Sequence, residues 1–222
     1  MTRAEIKEKS KKQIRGHIGM FFLINLIVVA LAVVGNVIGY IPFIGVALSL
    51  LASIGMFLFY PFIAFNLMRI YWNFATRGKD PKPKNLFKDD FGQMWWKAWG
   101  LYIEIGFFTM LWSFLLIVPG IIKAISYSAA PYILASNPEI SAPEAVRQSK
   151  KIMKGHKADF FVMVLSFIGW VLLACLTLGI LLIWLAPYME TTYANFYASI
   201  GVGGNAPTNV IEDKPAEAVD AE

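Results

Sequence analysis

Apolar residues in this chain come in uninterrupted runs, not in the alternating or one-faced patterns of soluble elements. From Gly16 to Met68 no Lys, Arg, Asp or Glu occurs in 53 residues, and Phe160 to Met189 is uncharged for 30 more. Between them, Ile105 to Ile122 is uncharged for 18. A helix needs about 20 apolar residues to cross the hydrocarbon core of a bilayer. The pattern therefore predicts an all-α fold, a polytopic membrane helical bundle. Proline and glycine punctuate the runs. Residues 18–40 make a first span, Ile41-Pro42-Phe43-Ile44-Gly45 a tight turn, and 46–72 a second span. Residues 98–118 and 121–136 flank Pro119-Gly120, and 158–178 and 180–200 flank Gly179. The result is about six transmembrane helices in three hairpins. The second helix of each carries a proline beside an aromatic, in Tyr60-Pro61-Phe62, Ala130-Pro131-Tyr132 and Ala186-Pro187-Tyr188. That recurrence reads either as a repeat or as three separate kinks, which neighbouring helices can tolerate.

The segments outside the spans read as interfacial. Residues 1–17 form a basic amphipathic N-terminal helix. Ser141 and Glu144 have capping-box spacing, with Pro143 in the first turn and Gly155 as a natural stop. On the helix between them Ala145, Ser149, Ile152 and Met153 share one face, and Arg147, Lys150, Lys151 and Lys154 the other. Such a helix suits a headgroup surface. Residues 86–99 bring Phe87, Phe91, Trp95, Trp96 and Trp99 together with Lys88 and Lys97, the aromatic anchors expected at a membrane interface. A basic stretch before the first span and Ala30-Leu31-Ala32 imitate a signal peptide, but the apolar run is longer than a signal core, so the span is expected to be retained.

Composition sharpens this reading. The 222 residues are 57% hydrophobic and 16% charged, against about 25% charged in soluble domains. A soluble fold of this size could not hide so much apolar surface. The net charge of +5 divides into −4 over Val202 to Glu222 and +9 over the rest. Residues 201–222, rich in Gly, Pro, Ala and acids, are expected to be a disordered acidic tail that folding does not need. Of the 20 Lys and Arg, six precede the first span, seven lie between Arg69 and Lys97, five between Arg147 and Lys157, one is Lys214, and the one remaining is Lys123. Basic residues favour the cytoplasm, and two crossings per hairpin bring all these clusters to that side. Both termini are therefore expected in the cytoplasm of a multi-pass plasma-membrane protein. The expected partners are a bilayer with anionic lipids and a membrane-protein partner or a second copy; no nucleic acid is expected. Cys175, the single cysteine, reads as a small buried hydrophobe.

Candidate chemistry is sparse. His17 and His156 have no Cys or carboxylate at metal-ligand spacing, and no phosphate-binding loop, nucleophile elbow or zinc-protease motif occurs. No catalytic, cofactor or metal site is predicted. What stands out is a set of charges at membrane depth, which are costly and by default point to function: Glu190, Glu104 and Lys123, with Arg69 near the end of the second span. Lys123 and Arg69 can snorkel, whereas Glu190 lies deep. Asn25, Asn66 and Asn195 complete a candidate intramembrane polar network. Glu190 is expected to face the interior and bond to a group such as Asn25, Asn66 or Arg69. Gly35-Asn36-Val37-Ile38-Gly39 has small-xxx-small spacing that permits close helix approach.

Further stretches carry a family resemblance. Val118-Pro119-Gly120-Ile121, Tyr127-Ser128, Ala130 to Ala135, Asn137-Pro138-Glu139-Ile140-Ser141 and Met153-Lys154-Gly155-His156-Lys157 belong to it. Ser166-Phe167-Ile168-Gly169-Trp170, and Pro187-Tyr188 with Thr192, Ala194, Asn195, Phe196 and Tyr197, complete the series. The chain resembles a bacterial integral membrane family catalogued as domain of unknown function 975, typical of Gram-positive bacteria. It is distantly similar to the membrane domain of some glycerophosphodiester phosphodiesterases, which is not their catalytic part. The resemblance implies a membrane topology and no activity. The leading expectation is a non-enzymatic plasma-membrane protein acting on lipids, envelope stress or a membrane partner. The alternatives are a small transporter or channel subunit using the buried charges, and an intramembrane enzyme.

Overall fold

The computed structural model describes residues 2–37, 45–87, 91–115, 117–177, 179 and 181–204. These residues form helices α1 (Arg3–Ile14), α2 (Ile18–Val37), α3 (Gly45–Arg77), α4 (Phe91–Leu115) and α5 (Ile117–Tyr127). They are followed by α6 (Ala130–Ser136), α7 (Ala142–Ile152), α8 (Lys157–Leu165), α9 (Ile168–Leu176) and α10 (Leu182–Ser199). Short 3-10 turns occupy Pro83–Leu86 and Val202–Gly204, and no strand occurs among the described residues. The turn expected at 41–45 and the small-residue spacing at 35–39 lie largely outside them.

Long apolar runs become helices because a helix satisfies its own backbone. Two stretches are long and apolar enough to cross a membrane, Leu50–Arg77 with 28 residues and Lys157–Leu176 with 20. A third is Arg3–Ile14 with Ile18–Ala30, if that pair, bent by 90°, counts as one.

Burial changes along each long helix. On α3, exposed Leu50, Leu51, Ile54 and Phe57 give way to buried Phe62, Phe65, Tyr71 and Trp72. On antiparallel α4 the order reverses, from buried Met94, Ala98 and Leu101 to exposed Phe107, Met110 and Phe114. On α10, exposed Leu182 and Trp184 precede buried Leu185, Thr191 and Tyr197. One end of the molecule is therefore a packed head, and apolar hairpins extend from it. Each large side chain buried in the head is worth about 1.5–3 kcal/mol. The helices α1, α6 and α7 lie in the head: α1 packs on α10, and α7 packs on α4 and α6.

Several sequence expectations change here. Residues 121–136 form two helices, because Pro131 has no N–H for the carbonyl of Tyr127 and opens α6 instead. Gly120 is not a turn residue. It lies within α5, so close to α4 that a Cβ there would stand 2.8 Å from the Ser113 Cα. The apolar face of α7 meets protein, with Ala145, Val146, Ser149 and Met153 fully buried, so it does not rest on headgroups. The Trp95 and Trp99 indoles donate to the Leu58 carbonyl at 3.1 and 2.7 Å. They brace α3 beside Pro61, which leaves the neighbouring Phe57 carbonyl without its helical donor. Trp96 is 71% exposed. Cys175 is exposed, not buried. Val202, assigned by composition to the tail, is 1% exposed. Gly203, at φ +84°, packs so tightly that a Cβ would meet the Trp72 ring at 3.0 Å. The head therefore includes residues 202–204, while 205–222 lie outside the described residues.

Candidate functional site

The charged and amide side chains expected at membrane depth do not converge on one place. They fall into separate groups, each tying two or three helices together. Glu190 sits half-buried on α10, and the Tyr132 hydroxyl of α6 donates to its Oε2 at 3.0 Å. Tyr71 of α3, Tyr102 of α4, and Tyr193 and Tyr197 of α10 are also within electrostatic reach of that carboxylate. The Tyr132 ring lies 4.5 Å from that of Tyr197 and 5.9 Å from that of Trp72. Glu190 is thus held among phenols, and its hydrogen bond goes to Tyr132, not to Asn25, Asn66 or Arg69.

Asn195, one turn and a half further along α10, binds the N-terminal helix. Its Nδ2 donates to Gln13 Oε1 at 2.7 Å, Ser10 Oγ at 3.0 Å and the Thr191 carbonyl at 3.0 Å. Gln13 passes the link on, donating to the Ala75 carbonyl of α3 at 3.0 Å. Asn25 of α2 donates to Tyr71 Oη at 2.8 Å and to the Phe21 carbonyl at 2.9 Å. Asn66 donates to the Leu86 carbonyl at 3.1 Å, fastening the segment after α3 against that helix.

Arg69 and Asn66 line a polar cavity of about 270 Å³ with Asn73, Lys79, Asp80 and Asn85. The Asp80 carboxylate lies 3.1 Å from His17 Nε2 at the bend between α1 and α2. Glu104 lies apart, interacting electrostatically with Lys150 of α7. Lys123 of α5 stands 4.4 Å over the Trp112 ring of α4, a cation–π contact. None of the three cavities described on this surface reaches Glu190 or Glu104.

Interhelical bonding accounts for these groups chemically. A buried amide or carboxylate costs free energy unless paired. The Asn25, Asn66 and Asn195 amide nitrogens and the Glu190 carboxylate each bond to another element, whereas the buried Oδ1 atoms of Asn66 and Asn195 accept no hydrogen bond among the described residues. Among the described residues no cluster of three His, Cys, Asp or Glu could hold a metal ion. Tyr132, Tyr71, Ser10 and Gln13 are the side-chain partners that sequence reasoning missed. Tyr132 was noted only as the aromatic beside Pro131, and a polar tip next to a helix start is the one signal that could have marked it.

The described residues are all-helical, and two to three of their helices are long and apolar enough to cross a bilayer, which is compatible with a membrane location. The chain matches, over residues 1–127 and 114–202, the family described as "protein of unknown function (DUF975)", and it belongs to that family. No curated protein and no solved structure matches the chain.

Proposed function

We propose that this chain is a non-enzymatic, multi-pass protein of a bacterial plasma membrane, with six crossings in three hairpins and both ends in the cytoplasm. It acts there on lipids, on envelope stress or on a membrane partner. The observation that carries the reading is the division of surface along the helices. Exposed apolar side chains such as Phe57, Phe114 and Leu176, at 67%, 89% and 81%, occupy the hairpins, whereas the basic segments join the head. Contiguous apolar surface of that extent marks a membrane or partner surface. The Lys and Arg clusters belong to the segments that join the head, and the cytoplasmic preference of such clusters supports the orientation. The eleven residues of α5 reach only about 16 Å, roughly half of the hydrocarbon core. The packing of Glu190 among tyrosines, away from the described cavities, favours this reading over transport.

Carbonate extraction of membranes, with reporter fusions at Met1 and Glu222, tests the proposal. The protein should stay with the membrane and both reporters should be active inside the cell. Release into the supernatant would defeat the membrane assignment, and external activity at either end would defeat the topology.

A further inference from the structure

A groove of about 430 Å³ opens where α1 turns into α2 and both face α9 and α10. Buried Ile14 and Leu185, with Ile18 and Tyr188, make its floor, and Trp170 and Trp184, both more than half exposed, flank the opening. Its two cations, Lys11 and Arg15, come from α1, one turn apart and both exposed. No acidic residue lines it. The nearest carboxylate on α1, Glu8, is turned to Lys12 at 2.7 Å. Lys7, one turn earlier, closes the same side, donating to Ser166 Oγ at 2.5 Å and standing 4.1 Å from the Phe167 ring centroid.

Position gives this groove its meaning. The helix α1 belongs to the packed head, and α2 leaves it at 90° into the apolar half. The cations therefore stand at the boundary between the two halves, and the apolar floor runs away from them into the hairpins. That is the profile of an amphiphile, charged at one end and apolar along the rest.

We infer that the groove between α1, α2, α9 and α10 is a binding site for an anionic phospholipid, its phosphate on Lys11 and Arg15 and an acyl chain between Trp170 and Trp184. The inference rests on the membrane reading given above. A zwitterionic lipid fits worse, because its own cation would meet a rim of Lys and Arg with no carboxylate to receive it. A protein partner fits worse too, because ten residues line the groove against about 20–30 a side in a standard protein interface. The volume falls in the range of roughly 300–1,000 Å³ usual for small-ligand sites.

Brominated lipids quench tryptophan on contact, so the groove carries its own probes. The full chain is placed in vesicles of phosphatidylglycerol and phosphatidylcholine in which one lipid or the other, never both, bears bromines on its acyl chains. Trp170→Phe and Trp184→Phe variants assign the signal. The brominated anionic lipid should quench these two tryptophans with at least a roughly five-fold enrichment over its share of the bilayer, the scale set by a single basic side chain at an anionic surface. The Lys11→Gln/Arg15→Gln variant, changed only at exposed positions, should lose the enrichment and keep the quenching.

Equal quenching by both lipids overturns the inference. So does an enrichment that survives in Lys11→Gln/Arg15→Gln, or one that survives removal of both tryptophans. If a second copy or another protein fills the groove, neither lipid quenches Trp170 or Trp184 while the other tryptophans respond, and the inference is again overturned. Failure of the underlying membrane reading looks different: the protein stays behind when the vesicles are floated.

Discussion

Glu190 shows what a single partner does for a charge in an apolar bundle. Its carboxylate accepts from Tyr132 at 3.0 Å, and Tyr132 in turn packs on Trp72 and Tyr197. Glu190→Gln keeps an acceptor for that hydroxyl, whereas Glu190→Leu leaves it unsatisfied in the core. The Leu variant should be the less stable of the two by about 1–3 kcal/mol, read as thermal denaturation in detergent. Adding Tyr132→Phe should recover part of the loss, and equal melting of both single variants would show that the bond contributes nothing. Glu144, at the exposed start of α7, behaves differently. Hydrogen bonds from Gln148 and then Arg147 hold its carboxyl below the ordinary glutamate range. A carboxyl lowered by folding stabilises the fold above its unfolded pKa, and that stability is lost as pH falls through the folded value. Glu144→Gln should therefore melt below the parent protein at neutral pH, and the gap should close in acid. A gap that widens in acid contradicts the assignment.

At the scale of elements, small residues and chain ends decide how helices meet. Gly120 lets α5 lie directly on α4 at Ser113. Gly120→Ala must push the two helices apart, and overpacking of this kind typically costs about 1–3 kcal/mol. An unchanged melting temperature would mean that the hairpin opens without strain. The segment after α10 makes the opposite case, an apparent tail that is structural at its root. Val202 is buried and Gly203 lies on the Trp72 ring. A chain ending at Gly204 should melt like the full protein. One ending at Gly201 should lose about 1.5–3 kcal/mol, the value of one buried aliphatic side chain. If both truncations melt alike, the packing of Val202 is incidental.

For the molecule as a whole, the first helix is held by the last. Asn195 grips Ser10 and Gln13, and Gln13 reaches α3, so three distant parts of the chain close the head together. Asn195→Leu should free α1 and let trypsin reach Lys11 and Arg15 roughly ten-fold faster, the effect of losing about 1.4 kcal/mol of hydrogen bonding. An unchanged cleavage rate would place the hold on α1 in its apolar face, through Ile6 and Ile14, alone.

Helix-forming runs, the break at Gly179 with its φ of +84°, and the Ser141 cap on α7 were legible in the residues themselves. Run length, proline, glycine and capping side chains act within a few positions of where they stand. The interior position and pairing of Glu190 were also foreseeable, because a carboxylate among apolar residues needs a partner. Which partner it takes was not. Tyr132 is 58 residues from Glu190, and Ser10 is 185 from Asn195. The amphipathic pattern of α7 fixes which face is apolar, yet a bilayer and a neighbouring helix satisfy that face equally well. Only the packing of α4 and α6 against it decides between them. Local chemistry determines the helices, their ends and their apolar faces; what covers each face depends on which distant segments the fold brings together.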